Sequence, residues 1–424
     1  MKKIFIKIEQ ITIHLAKKGF LHIFFSSIVC KLISFFSGLI IVRLLNKSEF
    51  GVFSYAQNIY NFVFVFNGLG LTQSVLQIIS EGGSEGKKVK VFNYCGSIGT
   101  CISFLLTIII VFIGVFVKLP IKGANTILLS MSLIPVLEFI YEIKQMKIRA
   151  EKNNKEYAFN NICYSIITII ITTALSYKFQ LLGRVVALYL SLLFIIVVQK
   201  YHSKICINPR FKISKSERTD IFKIGIISMI NNGLSSLLYL IDIFTIGALL
   251  KSDMAVATYK VATVIPTALM FIPTSIVIFI YPYFCEHKDD TKWLLDKFKA
   301  VIFLLGIFNV LIGLLLNICA PFIIEIFFGE QYMDGLIPFR ILILNYVISG
   351  TFRIITGNLL ITQRKLFVNT ISSVISAPLN MIFNYVLINK YGLVGASIAT
   401  LSIVIIECMF CTIMLIISFK KKNS

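Results

Sequence analysis

The chain has 424 residues, of which 57% are hydrophobic and only 14% carry a charge. A soluble domain has about 25% charged residues, so the composition argues against a soluble enzyme and against disorder. The mean hydropathy is +0.87, and apolar runs of about 20 residues, the length that spans a bilayer, recur from end to end. A transmembrane β-barrel would show alternating segments of about 10 residues instead. We therefore predict an all-α, polytopic membrane protein.

The net charge of +21 is explained by membrane topology rather than by nucleic acid, because Lys and Arg accumulate in cytoplasmic loops. Most of the 41 Lys and Arg residues fall on one side of the membrane when the N-terminus is placed inside. Both termini are therefore expected to be cytoplasmic, the number of spans is expected to be even, and no nucleic-acid partner is expected.

Taken in chain order, the sequence predicts a short interfacial helix at residues 1–20, because Ile4, Ile8, Ile11 and Leu15 recur at helical spacing. Twelve transmembrane helices follow, and no loop between them is long enough for a catalytic domain. The predicted spans are 21–45, 52–80, 91–117, 125–148, 157–177, 182–200, 221–249, 254–284, 298–319, 336–361, 366–388 and 393–419.

Two internal matches indicate that the chain repeats itself. Residues 45–55, LNKSEFGVFSY, match residues 249–259, LLKSDMAVATY, and residues 178–187, KFQLLGRVVA, match residues 390–399, KYGLVGASIA. The two matches occur in the same order and at nearly the same offset, which is the signature of a duplication.

The duplication predicts an N-terminal six-helix lobe at 1–200, a basic cytoplasmic linker at 201–220 and a C-terminal six-helix lobe at 221–424. Six is an even number, so both lobes enter the membrane in the same sense. A cavity between two such halves, opened to each side in turn by rocking, is the usual arrangement of a transporter.

Four short segments carry a resemblance to a known family. Residues 43–45 (RLL), 49–53 (EFGVF) and 68–70 (GLG) resemble the first helical hairpin of Wzx-like O-antigen and polysaccharide flippases. Residues 391–396 (YGLVGA) resemble the hairpin before their last helix. These flippases form the polysaccharide-transporter branch of the MATE/MOP (multidrug/oligosaccharidyl-lipid/polysaccharide) exporter superfamily.

The resemblance covers essentially the whole chain and implies two pseudo-symmetric six-helix lobes in a V shape. It implies export of oligosaccharide repeat units linked to a lipid pyrophosphate, for O-antigen, capsule or a related polysaccharide, across the bacterial cytoplasmic (inner) membrane. The implied partners are a polyprenyl-pyrophosphate-linked oligosaccharide, membrane lipids and other membrane proteins of polysaccharide assembly.

Three cations fall within predicted spans, where a charge is costly and therefore a functional candidate. Lys31 and Arg353 share their helix faces with Ser, Thr and Gly residues, and Lys260 lies just inside its span. A pyrophosphate needs such desolvated cations, with a guanidinium for paired oxygens and an ammonium as a point charge. We expect these three residues to bind substrate; the alternatives are internal salt bridges and an interfacial lysine.

Three carboxylates also fall within predicted spans: Asp242, Glu138 and Glu407. Each can pair with a cation inside the protein or can carry a coupling proton or sodium ion, and the sequence leaves both alternatives open. The membrane potential is a further driving force, because two negative charges that leave a negative-inside cell gain ~4–5 kcal/mol per 100 mV.

Gly68, Gly70, Pro266 and Pro273 are candidate hinges, because they interrupt corresponding spans of the two halves. The alternative is ordinary packing, since Gly is common at helix contacts in membranes and Pro is tolerated there.

The sequence lacks the motifs of an enzyme. The Gly-rich stretch 81–88 does not meet the P-loop pattern, the four His residues are far apart and no nucleophile–base pattern is found. We expect no catalytic activity, no cofactor and no metal site. Three other classes stay open: a cation-coupled multidrug antiporter of the same superfamily, which would need an acidic cavity; a membrane enzyme; and a scaffold that does not transport.

Overall fold

The computed structural model describes residues 20–82, 84–202, 207–208, 213–287, 289–363 and 365–423, and these residues are almost entirely helical, with no β-strand among them. The predicted all-α fold is confirmed. Apart from its last residue, the interfacial helix predicted at 1–20 lies outside the described residues.

The described residues form consecutive helices, most of which are joined by short turns. Single turns of other helix types occur at Asn67–Gly70 and Glu330–Gly335 (3₁₀) and at Ile324–Phe328 and Ser349–Arg353 (π). The α-helices are α1 (Phe20–Leu44), α2 (Lys47–Phe64), α3 (Leu71–Ser80), α4 (Glu85–Phe116), α5 (Ala124–Ser130), α6 (Ile134–Ala150), α7 (Asn154–His202), α8 (Lys215–Leu250), α9 (Asp253–Leu269), α10 (Phe271–Glu286), α11 (Thr291–Ile323), α12 (Leu336–Ile348), α13 (Ile354–Thr362) and α14 (Leu366–Asn423).

Among the described residues, 7 helical stretches are long and apolar enough to cross a membrane, or up to 9 if each of two bent pairs counts as one span. The number of helices that are long and apolar enough to cross a membrane therefore does not confirm the prediction of twelve transmembrane helices. Large apolar side chains are exposed along α4 and α11, among them Phe104, Phe112, Phe303 and Leu311. A bilayer is the solvent that suits such a surface.

The long helix α7 is a helical hairpin. Its backbone leaves the helical region at Gln180 (φ 48, ψ −125). The Arg184 guanidinium donates a hydrogen bond of 2.7 Å to the Thr172 hydroxyl, although residues twelve apart in a straight helix lie about 18 Å from each other. The two predicted spans 157–177 and 182–200 are therefore the two arms of this hairpin.

The same turn occurs in α14, at Gly392 (φ 57, ψ −132). A Cβ atom on Gly183 would lie 2.1 Å from the Leu175 carbonyl oxygen, and one on Gly395 would lie 2.0 Å from the Leu387 carbonyl oxygen. Each turn therefore needs a glycine three residues after its non-helical residue, Gly183 after Gln180 and Gly395 after Gly392. Corresponding residues of the second sequence match thus fold alike.

The first sequence match also has a structural counterpart. The helices α2 and α9 both begin within its two copies, at Lys47 and Asp253. The Ser48 hydroxyl donates a hydrogen bond to the Asp253 carboxylate, and a Cβ atom on Gly51 would lie 2.0 Å from the Asp253 carbonyl oxygen. The two copies therefore pack directly against each other.

The described residues divide into two compact units. Unit 1 consists of the described residues within Met1–Leu45, Val63–Lys118 and Asn125–Asn232. Its core comes from α3, α4, α6 and the start of α8, with the buried side chains Leu71, Val75, Val91, Phe92, Cys95, Phe139, Ile143 and Ile221.

Unit 2 takes in the described residues of Asn46–Phe62, Leu119–Ala124 and Gly233–Ser424. Its core comes from α10, α11, α13 and α14, with the buried side chains Val277, Phe284, Leu294, Phe298, Ile355, Leu359, Leu415 and Phe419. The lobes predicted at 1–200 and 221–424 stay a prediction.

Candidate functional site

Unit 2 contains a cavity of about 140 Å³ between α2, α8, α9, α12 and α14, which we name the Asp242 cavity. Its walls are rich in amide and hydroxyl groups, and they include one carboxylate and one ammonium group. The polar residues that line it are Ser54, Gln57, Asn58, Asn61, Asp242, Lys260, Thr263, Thr267, Asn345 and Thr400.

The Asp242 carboxylate is held by neutral donors. Its Oδ1 accepts hydrogen bonds from the amides of Asn380 (3.1 Å) and Asn384 (2.8 Å). Its Oδ2 accepts from the hydroxyls of Tyr259 (3.0 Å) and Thr400. The side chain is 5% exposed, and no Lys or Arg of the described residues lies within 4.0 Å of it. Asp242 is therefore a buried acceptor without a cationic partner in that part of the chain.

Lys260 lines the same cavity from α9 and is half-buried. Within the described ranges, its ammonium group lies within ion-pair distance of no carboxylate, Asp242 included. Asn345, on α12, lines the same cavity, and its buried amide oxygen has no hydrogen-bond partner among the described residues. A cation, an anion and an unsatisfied amide thus share one cavity without neutralising one another.

A second cavity of unit 2, with a volume of about 370 Å³, surrounds the other pair of predicted site residues, and we name it the Arg353 cavity. Arg353 Nε lies 2.7 Å from Glu407 Oε2. Arg353 is the last residue of the π-turn Ser349–Arg353, a type of turn that is frequent at functional sites. Of the two alternatives that the sequence left open for Glu407, the structure thus contains the ion pair.

The remaining predicted site residues belong to unit 1. Lys31 is exposed on α1, which packs against α7, and no carboxylate of the described residues lies within 4.0 Å of its ammonium group. Glu138, on α6, lies near Tyr164, which in turn lies near Arg184. The structure therefore brings Asp242 together with Lys260, and Arg353 with Glu407, and the transport roles of all six stay predictions.

The candidate hinges coincide with breaks in the helices. The backbone is left-handed at Gly68 (φ 57), Leu69 (φ 47) and Gly70 (φ 71), which separates α2 from α3. Met270 separates α9, which contains Pro266, from α10, which has Pro273 in its first turn, but its backbone stays in the right-handed helical region (φ −59, ψ −14). Motion at either break stays a prediction.

Residue-by-residue inspection of charges missed most of the groups around Asp242. Asn380 and Asn384 are four residues apart and so lie on one face of α14, and Tyr259 and Thr400 approach from α9 and from the second arm of α14. A search for neutral amides within apolar spans would have selected the two asparagines. Arg184 is a further cation inside unit 1 that the sequence analysis did not select.

The class of protein follows from these observations. A multi-pass helical membrane protein with charged and amide side chains around internal cavities has the organisation of a membrane transporter. The family model described as polysaccharide biosynthesis protein matches residues 40–338. The chain therefore belongs to this family of polysaccharide biosynthesis proteins.

Among curated proteins, the chain is similar to the capsular polysaccharide biosynthesis protein CapF of Staphylococcus aureus, with 25% identity over 391 residues, 90% of this chain and 94% of the relative. Among solved structures, it resembles an inward-facing multidrug resistance MATE family transporter of the MOP superfamily (TM-score 0.73, 14% identity, 93% of this chain and 96% of that one). It also resembles the lipid II flippase MurJ in an inward closed conformation (TM-score 0.73, 15% identity, 94% of this chain and 89% of that one). The MATE/MOP fold predicted from the sequence is confirmed.

Proposed function

We propose that this protein is a flippase that exports lipid-pyrophosphate-linked oligosaccharide repeat units, the precursors of a capsule, O-antigen or related polysaccharide. Export runs across the bacterial cytoplasmic membrane by alternating access, with both chain termini in the cytoplasm. The family, the capsular relative and a fold shared with a lipid II flippase support this proposal. The observation that carries it is the Asp242 cavity, where Lys260, which forms no ion pair within the described residues, lies among amide side chains.

Lys260 is the proposed contact for the pyrophosphate. An ammonium without a carboxylate partner in a low-dielectric cavity attracts an anionic head group more strongly than the same group in water does. The amides of Gln57 and Asn61 on α2 line the same cavity and can donate hydrogen bonds to phosphate oxygens. Lys31, exposed on α1 of unit 1, stays a predicted substrate-binding residue.

Asp242 is the proposed site of a coupling ion, either a proton or Na⁺. Its four hydrogen bonds come from neutral groups, so its negative charge is solvated but not cancelled by those donors. Hydroxyl and amide oxygens are also ligands that hard cations accept. Glu407 differs, because the guanidinium of Arg353 already compensates its charge.

Transport itself requires the cavities to open to each side in turn. The left-handed residues Gly68–Gly70 and the junction of α9 and α10 at Met270 are the proposed hinges, because a few residues at the ends of elements absorb most of the backbone change in such motions. The lipid tail stays in the bilayer while the head group passes.

The proposal is tested with purified protein in vesicles that contain a fluorescent lipid-pyrophosphate oligosaccharide. Wild-type protein should move the lipid between the two leaflets of the vesicle membrane. Lys260→Met should slow this movement about tenfold or more. Lys260→Arg keeps the charge and is the matched control. The drug-antiporter alternative predicts instead that a fluorescent organic cation is transported and the lipid is not.

A further inference from the structure

The Arg353 cavity, like the Asp242 cavity, is lined by one cation and one carboxylate, but Arg353 and Glu407 form an ion pair, whereas Lys260 and Asp242 do not. Its one guanidinium and its one carboxylate form an ion pair, so the pair carries no net charge toward a ligand. A pyrophosphate at Arg353 would have to compete with the Glu407 carboxylate, which already lies 2.7 Å from the guanidinium. The cavity is therefore poorly suited to an anion, and for the converse reason it is poorly suited to an organic cation.

Glu407 nevertheless lacks hydrogen-bond donors. Its side chain is 3% exposed, and neither carboxylate oxygen has a hydrogen-bond partner among the described residues, although Oε2 lies close to Arg353 Nε. A buried carboxylate oxygen left without a donor is unfavourable, because the ion pair with Arg353 replaces only part of the hydrogen bonding that a carboxylate has in water. A ligand that donates a hydrogen bond would satisfy such an oxygen.

The other walls of the cavity offer further small polar groups. Ser349 comes from the π-turn, Asn358 from α13, and Asn369, Ser372 and Ser373 from α14. The volume of about 370 Å³ falls within the range of small-molecule sites, roughly 300–1,000 Å³. The space above Gly357 is open, since a Cβ atom there would meet only the Asn369 amide, at 3.8 Å and beyond.

We propose that the Arg353 cavity binds the hydroxyl groups of a sugar, and this inference rests on the proposed flippase function. A hydroxyl group is both a donor and an acceptor. It can donate to a Glu407 oxygen while a neighbouring hydroxyl accepts from the Arg353 guanidinium or from an amide on the wall. The pyrophosphate and the glycan of one lipid-linked substrate are thereby assigned to different cavities of unit 2.

The test compares two lipids in vesicles of phosphatidylethanolamine and phosphatidylglycerol: a polyprenyl pyrophosphate that carries a disaccharide and the same lipid pyrophosphate without sugar. The variant Gly357→Leu fills the cavity and leaves both charges in place. Its control is Gly86→Leu on α4, where a Cβ atom would meet nothing within 4 Å. Gly357→Leu should raise the concentration of sugar-bearing lipid needed for half-maximal transport about tenfold and leave transport of the sugar-free lipid unchanged.

A second variant and a second readout keep the test decisive if Gly357→Leu does not fold. Ser373→Ala removes one hydroxyl from the wall and should weaken transport of the sugar-bearing lipid about threefold to tenfold. In addition, a soluble methyl disaccharide should raise the unfolding midpoint of purified wild-type protein and should not raise that of the cavity variants. Inorganic pyrophosphate, the comparison ligand, should change the unfolding midpoint of the wild type and of the cavity variants by the same amount.

The outcomes separate the two proposals. If the disaccharide stabilises the wild type but neither lipid is transported, the sugar site stands and the flippase function falls. If both lipids are transported and the cavity variants affect them equally or not at all, the flippase function stands and the sugar site is wrong.

Discussion

Replacement of Asp242 by Asn and by Ala tests the proposed coupling site, because the two substitutions remove the same charge with different structural consequences. An Asn side chain can direct its amide oxygen at Asn380 and Asn384 and its amino group at the hydroxyls of Tyr259 and Thr400. Hydroxyl groups can rotate to accept as well as donate. Asp242→Asn should therefore leave the hydrogen-bond network closed, with a change in unfolding free energy within about 1 kcal/mol.

Asp242→Ala leaves the same donors without their common acceptor. The Thr400 hydroxyl keeps the Ala396 carbonyl and the Asn384 amide keeps the Asn380 side-chain oxygen, so their losses are partial. The fully buried Tyr259 hydroxyl loses the carboxylate oxygen that accepts its hydrogen bond. Because a buried donor left unpaired costs about 1–3 kcal/mol, we expect a total loss of about 3 kcal/mol.

The assay has two parts, thermal unfolding of the purified variants and lipid transport driven by an imposed gradient of Na⁺ or of pH with the membrane potential held fixed. Wild-type transport should be stimulated by one of the two gradients. Asp242→Asn should be nearly as stable as the wild type and should lose that stimulation. The reasoning is refuted if Asp242→Asn keeps the stimulation, or if Asp242→Ala is as stable as Asp242→Asn.

Three further predictions concern the backbone and the substrate cation. Gln180→Gly should raise the unfolding free energy by about 1 kcal/mol. The backbone conformation at Gln180 costs a non-glycine residue about 1–3 kcal/mol, and the greater unfolded-state entropy of glycine offsets about 0.5–1 kcal/mol of the gain. Gly392→Gln should lower the unfolding free energy, and equal denaturation midpoints for the two variants would contradict this reasoning. Gly70→Ala should lower the unfolding free energy by about 2 kcal/mol or more, because its Cβ atom would lie 2.2 Å from a backbone oxygen. Gly82 is also at positive φ but lies in open space, so Gly82→Ala should lower the unfolding free energy less in the same assay. Lys260→Met should weaken binding of inorganic pyrophosphate to the purified protein about tenfold, as measured by calorimetry, and unchanged binding would remove Lys260 from the proposed site.

Local rules were sufficient for the elements that depend on neighbouring residues. Apolar length predicted the helices, and the second sequence match marked the two hairpin turns at Gln180 and Gly392. The glycines at 68 and 70 marked the break between α2 and α3, because left-handed backbone favours glycine. Each of these features is decided within a few residues of the chain.

The partners of the charged residues could not be predicted in the same way. Glu407 and Arg353 were each selected from the sequence, but their pairing depends on how α14 packs beside the π-turn. The donors to Asp242 come from α9 and from both arms of α14, far along the chain. Tertiary packing decides which helix faces meet. The sequence therefore left open whether Glu407 and Asp242 pair with a cation or carry a coupling ion.

The central claim, that this protein moves lipid-linked oligosaccharide across the membrane, is tested most directly by the sidedness of that lipid in cells depleted of the protein. The account predicts that lipid-linked oligosaccharide accumulates on the cytoplasmic face, that wild-type protein clears it, and that folded Lys260→Met protein at equal abundance does not. If sidedness is unchanged by depletion, the flippase function is contradicted.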